Sequence, residues 1–321
     1  MRFGLFGLIL LLSSIVVAQA AGAEPSYGSF GPESPRMREQ LWIVPGGDPA
    51  TPLRATVFRP AAEDAPGRRP LVVINHGSDA STREAVSMPV FYWLSRWFVA
   101  RGYVVLVPQR RGHGATGGDL AEGRDSCSRP DHWSAGQSAA DDIEAAIRFM
   151  SRQPFVDDQH IVVAGTSTGG WASLAVAGRS IPGVRLVVNF AGGRGGHAYG
   201  RPHAVCSIDR LIETAGRLGE RAKVPTVWFY ARNDSYFGPQ LADAMADAWR
   251  KAGGRVDLKL LPAYGADGHE LVADRASWSL WEADLAGHLS GVKGPAGDMI
   301  AAEGEVAAAS GHALSEANAG R

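Results

Sequence analysis

Cysteine is scarce: Cys127 and Cys206 are the whole supply in 321 residues, enough for one disulfide at most. An excess of charge of either sign is also missing. Lys and Arg number 32 against 33 Asp and Glu, a formal net charge of -1, which removes the electrostatic reason to expect a nucleic-acid partner and favours a small neutral or weakly charged ligand. Beyond the first twenty residues no apolar run is long enough to cross a membrane, for which about 20 residues are needed. The histidines at 113, 132, 160, 197 and 203 lack metal-ligand spacing. Gly193-Arg-Gly195-Gly-His-Ala198 loosely fits a dinucleotide fingerprint, but the Tyr-Gly-Arg-Pro that follows does not open a helix, so neither metal nor cofactor is implied. There is no internal repeat and no central linker that would force a domain boundary.

What is present suits one globular domain, with 45% hydrophobic and 20% charged residues. Arg2, the apolar run Phe3 to Val17 and the small residues Ala18-Gln19-Ala20 make a signal-peptide pattern, cleaved near Ala20. No cysteine follows that point, so a lipid anchor is not expected. The reading is a leader over 1–20, a flexible mature N-terminus over 21–39, a catalytic domain over 40–290, and an Ala- and Gly-rich tail over 291–321. Export to the periplasm or medium would place Cys127 and Cys206 under oxidising conditions, where they either pair or remain two buried thiols.

Strand-like and helix-like patterns alternate along the domain. Strands are predicted at Leu53 to Arg59, Leu71 to Asn75, Tyr103 to Val107, Ile161 to Ala164, Val184 to Phe190, Thr226 to Tyr230 and Leu258 to Leu261. Helices are predicted at Met88 to Ala100, Ser134 to Arg152, Trp171 to Gly178, Leu241 to Lys251 and Ala276 to Leu289. Several strands are apolar without interruption, as strands covered on both faces must be, so a mostly parallel sheet with helices on each side is expected.

Ile161-Val-Val-Ala-Gly165-Thr166-Ser167-Thr168-Gly169-Gly170 puts G-x-S-x-G directly after a strand and before a helix. A serine hydroxyl is a weak nucleophile at neutral pH. It has to project from a tight turn toward a base, and the glycines remove side chains that would clash there. Upstream, Val72-Val-Ile-Asn-His76-Gly77-Ser78 runs a strand into a small-residue turn. The backbone N–H of Ser78, with that of Thr168 after the serine, could hold an oxyanion. His76 reads as a loop-holding histidine rather than the base.

Thr226-Val-Trp-Phe-Tyr-Ala-Arg-Asn-Asp234 sets an acid just past a strand, and Gly268-His269 lies in the loop after the next one. Ser, Asp, His is the chain order such a site requires. His197 and His203 precede the acid strand and would break it; Asp209 closely follows no strand, and Asp267 shares the histidine's own loop. The sequon Asn233-Asp234-Ser235 reads as coincidence beside a catalytic acid, and Arg110 and Arg111 as ion pairs that pin a loop rather than substrate contacts.

On His76-Gly77-Ser78, Gly165-Thr166-Ser167-Thr168-Gly169-Gly170, Asp234 and Gly268-His269, the chain resembles the dienelactone-hydrolase-like branch of the α/β-hydrolase superfamily over roughly 40 to 290. True dienelactone hydrolases carry Cys at the nucleophile elbow where this chain has Ser167, which argues against the named lactone as substrate. The resemblance implies an α/β-hydrolase fold with a small cap, since 190–224 has room for one or two helices. It implies a serine hydrolase acting on small or medium carboxylic esters through Ser167, His269 and Asp234. A serine exopeptidase with the same triad and a non-catalytic binding protein on this scaffold are the alternatives.

Overall fold

In the computed structural model, which describes residues 26–61, 67–78, 83–123 and 126–292, the apolar runs pair into one sheet of nine strands. The expected leader over 1–20, and all but the first two residues of the expected tail over 291–321, lie outside the described residues. The strands are β1 (Gly28–Phe30), β2 (Gln40–Val44), β3 (Leu53–Phe58), β4 (Arg69–Asn75), β5 (Val104–Gln109), β6 (Val156–Thr166), β7 (Val184–Phe190), β8 (Thr226–Ala231) and β9 (Val256–Leu261). Their spatial order is β1-β2-β3-β5-β4-β6-β7-β8-β9. β1, β2, β3 and β5 are joined antiparallel, and from β5 to β9 every pairing is parallel.

Among the described residues six α-helices cover the sheet: α1 (Tyr92–Val99), α2 (His132–Met150), α3 (Thr168–Ala177), α4 (Ile208–Arg221), α5 (Pro239–Lys251) and α6 (Trp278–Ser290). Alternation along each strand sends side chains to both faces. Leu71 and Val73 of β4 pack in the layer holding α2, α3, α4 and α5. Val72 and Ile74 pack in the layer holding α1 and α6. Both sets are fully buried, which is why these strands read as unbroken apolar runs. Each such side chain removed from water contributes about 1.5–3 kcal/mol.

The boundaries depart from expectation for local reasons. α1 starts at Tyr92 rather than Met88 because Pro89 disfavours helical backbone before it and Phe91 is left-handed at φ 41. α2 starts at His132, two residues early, because the Asp131 carboxylate caps it by accepting from Ser134 N–H at 2.9 Å. β6 extends over the polar stretch Asp157 to His160, which carries no apolar periodicity. Within 21–39, expected to be loosely held, Gly28–Phe30 is tied to the sheet edge through β2. Between β7 and β8 one helix forms, α4, and it packs Leu211, Ala215 and Leu218 into the sheet layer. The cap is therefore small: residues 191–207, with a single 3-10 turn at Ala198–Gly200.

A parallel sheet aligns the carboxyl ends of its strands, and ligands bind there because the loops of several strands converge. At that edge lie Ser78 after β4, His113 after β5, Ser167 after β6, Asp234 after β8 and His269 after β9.

Candidate active site

Ser167 forms the turn between β6 and α3 with φ 54 and ψ -126, a conformation that costs an L-residue on the order of 1–3 kcal/mol. Its surroundings hold it there. Ser167 N–H donates to Phe190 O at 3.1 Å, and its carbonyl accepts from Trp171 N–H at 3.1 Å and Gly193 N–H at 3.2 Å. The flanking glycines are steric necessities: a Cβ at Gly165 would lie 2.2 Å from Gly169 O, and one at Gly169 would lie 2.2 Å from Asn75 O. A Cβ at Gly77 would lie 2.7 Å from Ser167 Cβ, so the small-residue turn after β4 rests directly against the serine.

The predicted oxyanion donors adjoin each other. Ser78 N–H donates to Thr168 Oγ1 at 3.0 Å, an engagement of the donor that sequence did not foresee. The Ser78 hydroxyl lies 2.7 Å from His113 Nε2. His113 Nδ1 faces the carbonyls of Arg110 and Arg111 at 3.2 and 3.1 Å, so that nitrogen carries the proton and Nε2 accepts from Ser78. Burial, with Arg110 nearby, lowers the His113 pKa against the opposing pull of Glu122.

Asp234 and His269 are brought together. His269 Nδ1 lies 3.2 Å from both carboxylate oxygens of Asp234, and both residues are buried. Asp234 Oδ1 also accepts from the N–H groups of Tyr236 at 2.7 Å and Phe237 at 2.9 Å, which fixes the carboxylate against the ring. The rival acid, Asp267, is committed elsewhere: it accepts from Ser235 N–H and His269 N–H, each at 3.0 Å, and from the Ser235 hydroxyl. Burial works against its charge, yet these hydrogen bonds prevail and hold its carboxyl below the usual value. Asp267 thus clamps the histidine loop by its backbone.

The remaining candidates have structural partners. His76 Nε2 accepts from Arg110 N–H at 3.1 Å, and Arg110 Nη1 donates to His76 O at 2.8 Å. Burial, Arg110 and His113 together push the His76 pKa well down. Arg110 is fully buried against Glu122 at 2.5 Å, and Arg111 pairs with Asp142 at 2.6 Å, as loop-pinning ion pairs should. Asn233 spends its side chain on Tyr264 N–H and on the carbonyls of Tyr264 and Gly265. Asp209 lies exposed in the first turn of α4. Among the described residues, no group of three or more His, Cys, Asp or Glu side chains comes together as a metal site.

Ser167, Thr168 and Ser78 line a cavity of about 550 Å³, together with His197 of the cap and Tyr236 and Phe237 from the segment after β8. Cys127 and Cys206, 79 residues apart, form a disulfide at its rim that ties the loop after β5 to the cap. Sequence reading missed Tyr236, whose ring stacks on His269 with centroids 4.1 Å apart. Its position two residues after the acid was the available signal.

Sheet order, helix layers and a G-x-S-x-G turn at the carboxyl edge define an α/β-hydrolase. The dienelactone hydrolase family model matches residues 58–284, and the chain belongs to that family of hydrolases. Among solved structures of similar fold is an acetyl xylan esterase from Paenibacillus sp. R4, with 14% identity, TM-score 0.54, and coverage of 84% of this chain and 88% of that one. A provisionally named dienelactone hydrolase from Klebsiella pneumoniae matches at 17% identity and TM-score 0.51 over 77% of this chain and 96% of its own. A puromycin-hydrolyzing peptidase from Mycobacterium tuberculosis matches at 20% and 0.59, over 81% of this chain but 40% of the peptidase. Among the described residues no helix is long and apolar enough to cross a membrane.

Proposed function

We propose that this chain is an exported serine esterase that cleaves small or medium carboxylic esters through an acyl-enzyme on Ser167. The observation that carries the reading is the Asp234–His269 pair, 3.2 Å apart, at the same sheet edge as a serine held at φ 54 and ψ -126. In this mechanism His269 Nε2 takes the Ser167 proton as the hydroxyl attacks the ester carbonyl. Asp234 keeps the other ring proton on Nδ1 and stabilises the imidazolium. The N–H groups of Ser78 and Thr168 receive the oxyanion, which carries full charge, is a stronger acceptor than the Thr168 hydroxyl, and so displaces it from Ser78. Collapse expels the alcohol, protonated by His269, and water activated by the same ring then releases the acid.

Two features favour a small ester over a lipid or a peptide. The cap is a loop, 191–207, so it adds little apolar wall, and each further methylene contributes about 0.8 kcal/mol only where there is apolar surface to meet it. An aminopeptidase needs an uncommitted acid for a free amino terminus. Among the described residues the carboxylates lining the cavity are Glu84 and Glu122, and these pair with Arg83 at 3.0 Å and Arg110 at 2.5 Å. The leader pattern over 1–20 and a disulfide compatible with an oxidising compartment support export. A panel of p-nitrophenyl esters of graded chain length, run beside aminoacyl nitroanilides, tests the reading. kcat/KM should peak at short acyl chains; the reverse ranking would favour the exopeptidase.

A further inference from the structure

Three rings stand in a column behind the Asp234–His269 pair. The His197 imidazole stacks on the Tyr236 ring with centroids 3.5 Å apart and planes 11° from parallel. Tyr236 in turn stacks on His269 at 4.1 Å and 22°. A hydrogen-bonded chain runs alongside. Ser235 donates its hydroxyl proton to Asp267, so His197 Nε2–H is the donor in the 2.7 Å contact with Ser235 Oγ. Asp267 Oδ1 then accepts from His269 N–H at 3.0 Å. His197 therefore reaches the histidine loop twice, through ring faces and through Ser235 and Asp267.

The element that delivers His197 is built to hold it. It belongs to a small cap hairpin in which Cys206 N–H donates to Gly195 O at 2.8 Å, Ala198 N–H donates to Ala204 O at 2.8 Å, and Gly196 bridges Val205. The hairpin is stapled to the loop after β5 by Cys127–Cys206, and His203 N–H bonds Ser235 O at 2.6 Å. His197 itself sits at φ 53, a left-handed conformation that costs energy and persists only where the surroundings impose it.

We propose that His197 is a positioning residue for this chain's general base: stacked on Tyr236, it fixes the tilt of the His269 ring toward Ser167. The inference rests on the catalytic roles proposed above. Asp234 restrains His269 along its Nδ1 edge, and rotation about that contact would change the direction of Nε2, the nitrogen that takes the Ser167 proton in the proposed mechanism. The Tyr236 ring on one face, with Phe237 tilted against the imidazole at 5.7 Å, opposes that rotation, and His197 backs the far face of Tyr236. Misplacement of the base by about 1 Å is enough to cost on the order of 10²-fold in rate.

The test uses the full oxidised chain, with p-nitrophenyl acetate turnover and the rate of fluorophosphonate labelling as readouts and Ser167→Ala as the blank. His197→Ala should lower kcat and the labelling rate together, by about 10- to 100-fold, with KM changed little. His197→Phe keeps the stacking face and should recover most of the rate; His197→Gln keeps a donor for Ser235 but no ring and should not. If the alanine variant fails to fold, the Phe and Gln pair decides alone, equal rates overturning the proposal. Wild-type labelling with an unaffected His197→Ala overturns this inference and leaves the esterase reading standing. A wild-type chain that neither labels nor turns over overturns both.

Discussion

Ser167, the proposed nucleophile, occupies backbone that a side chain ordinarily avoids, at the turn between β6 and α3. Replacing it by Ala should leave the fold intact and lower kcat by on the order of 10⁴-fold or more. Asp234→Asn should cost several orders of magnitude, because an amide facing Nδ1 favours the wrong histidine tautomer. Asp267→Asn should be much milder in kcat, since Asp267 meets His269 only at the backbone. Equal losses in the two variants would reassign the acid. Ser167, Asp234 and His269 could be proposed from sequence because each follows a strand end in the required order, and the fold brings the last two within 3.2 Å. Tyr236 and His197 were passed over: Tyr236 offered only its place two residues after the acid, and His197 meets it only because the cap folds back over the segment after β8, a contact no local pattern encodes. The two buried histidines give a further outcome. His76 and His113 are held neutral below their ordinary pKa of 6.5, so below that pH the unfolded chain takes up protons that the folded chain refuses. Stability is thus full above pH 6.5 and declines as pH falls from there toward their lowered folded values. Thermal unfolding measured across pH 7 to 5 should show Tm dropping before carboxylates titrate, and a flat Tm would contradict the buried neutral pair.

Helix α6 closes the face opposite α3 through Trp281, whose ring lies 5.3 Å from Trp97 of α1 and 5.4 Å from Phe190 of β7, with its indole N–H on Ser277 Oγ. Phe190 also accepts the Ser167 N–H at its carbonyl, so this packing stands directly beneath the elbow. Trp281→Ala should destabilise by about 3–5 kcal/mol with the urea m-value unchanged. A loss under about 1 kcal/mol would mean that the site tolerates collapse. The parallel core strands and α6 were visible as apolar runs and helical periodicity. β1 was not, since a three-residue edge strand carries too few apolar positions for an alternation to register; β2, Gln40-Leu-Trp-Ile-Val44, is a short apolar run that was passed over. The early start of α2 came from a cap at Asp131 outside the periodic stretch, where hydrophobic pattern carries no information.

The chain as a whole joins a rigid sheet edge to a small, disulfide-anchored cap. The Cys127–Cys206 bridge closes a loop of 79 residues, worth about 4–5 kcal/mol in the chain-entropy description. Replacing both cysteines by serine should lower the denaturation midpoint correspondingly. Mass spectrometry of protein recovered from periplasm or medium should find no free thiol, and two free thiols there would refute the pairing. Composition had left that pairing open because sequence gives no distance between two loops; the fold brings their Cα atoms to 4.7 Å. Above all these rests the claim that Ser167 is the group that becomes acylated. Incubation of the whole protein with a fluorophosphonate, followed by intact and peptide mass spectrometry, tests it most directly. One adduct per chain, mapped to the peptide bearing Ser167 and absent from Ser167→Ala, is the expected result; no adduct, or one carried by Ser78 or another serine, would contradict it.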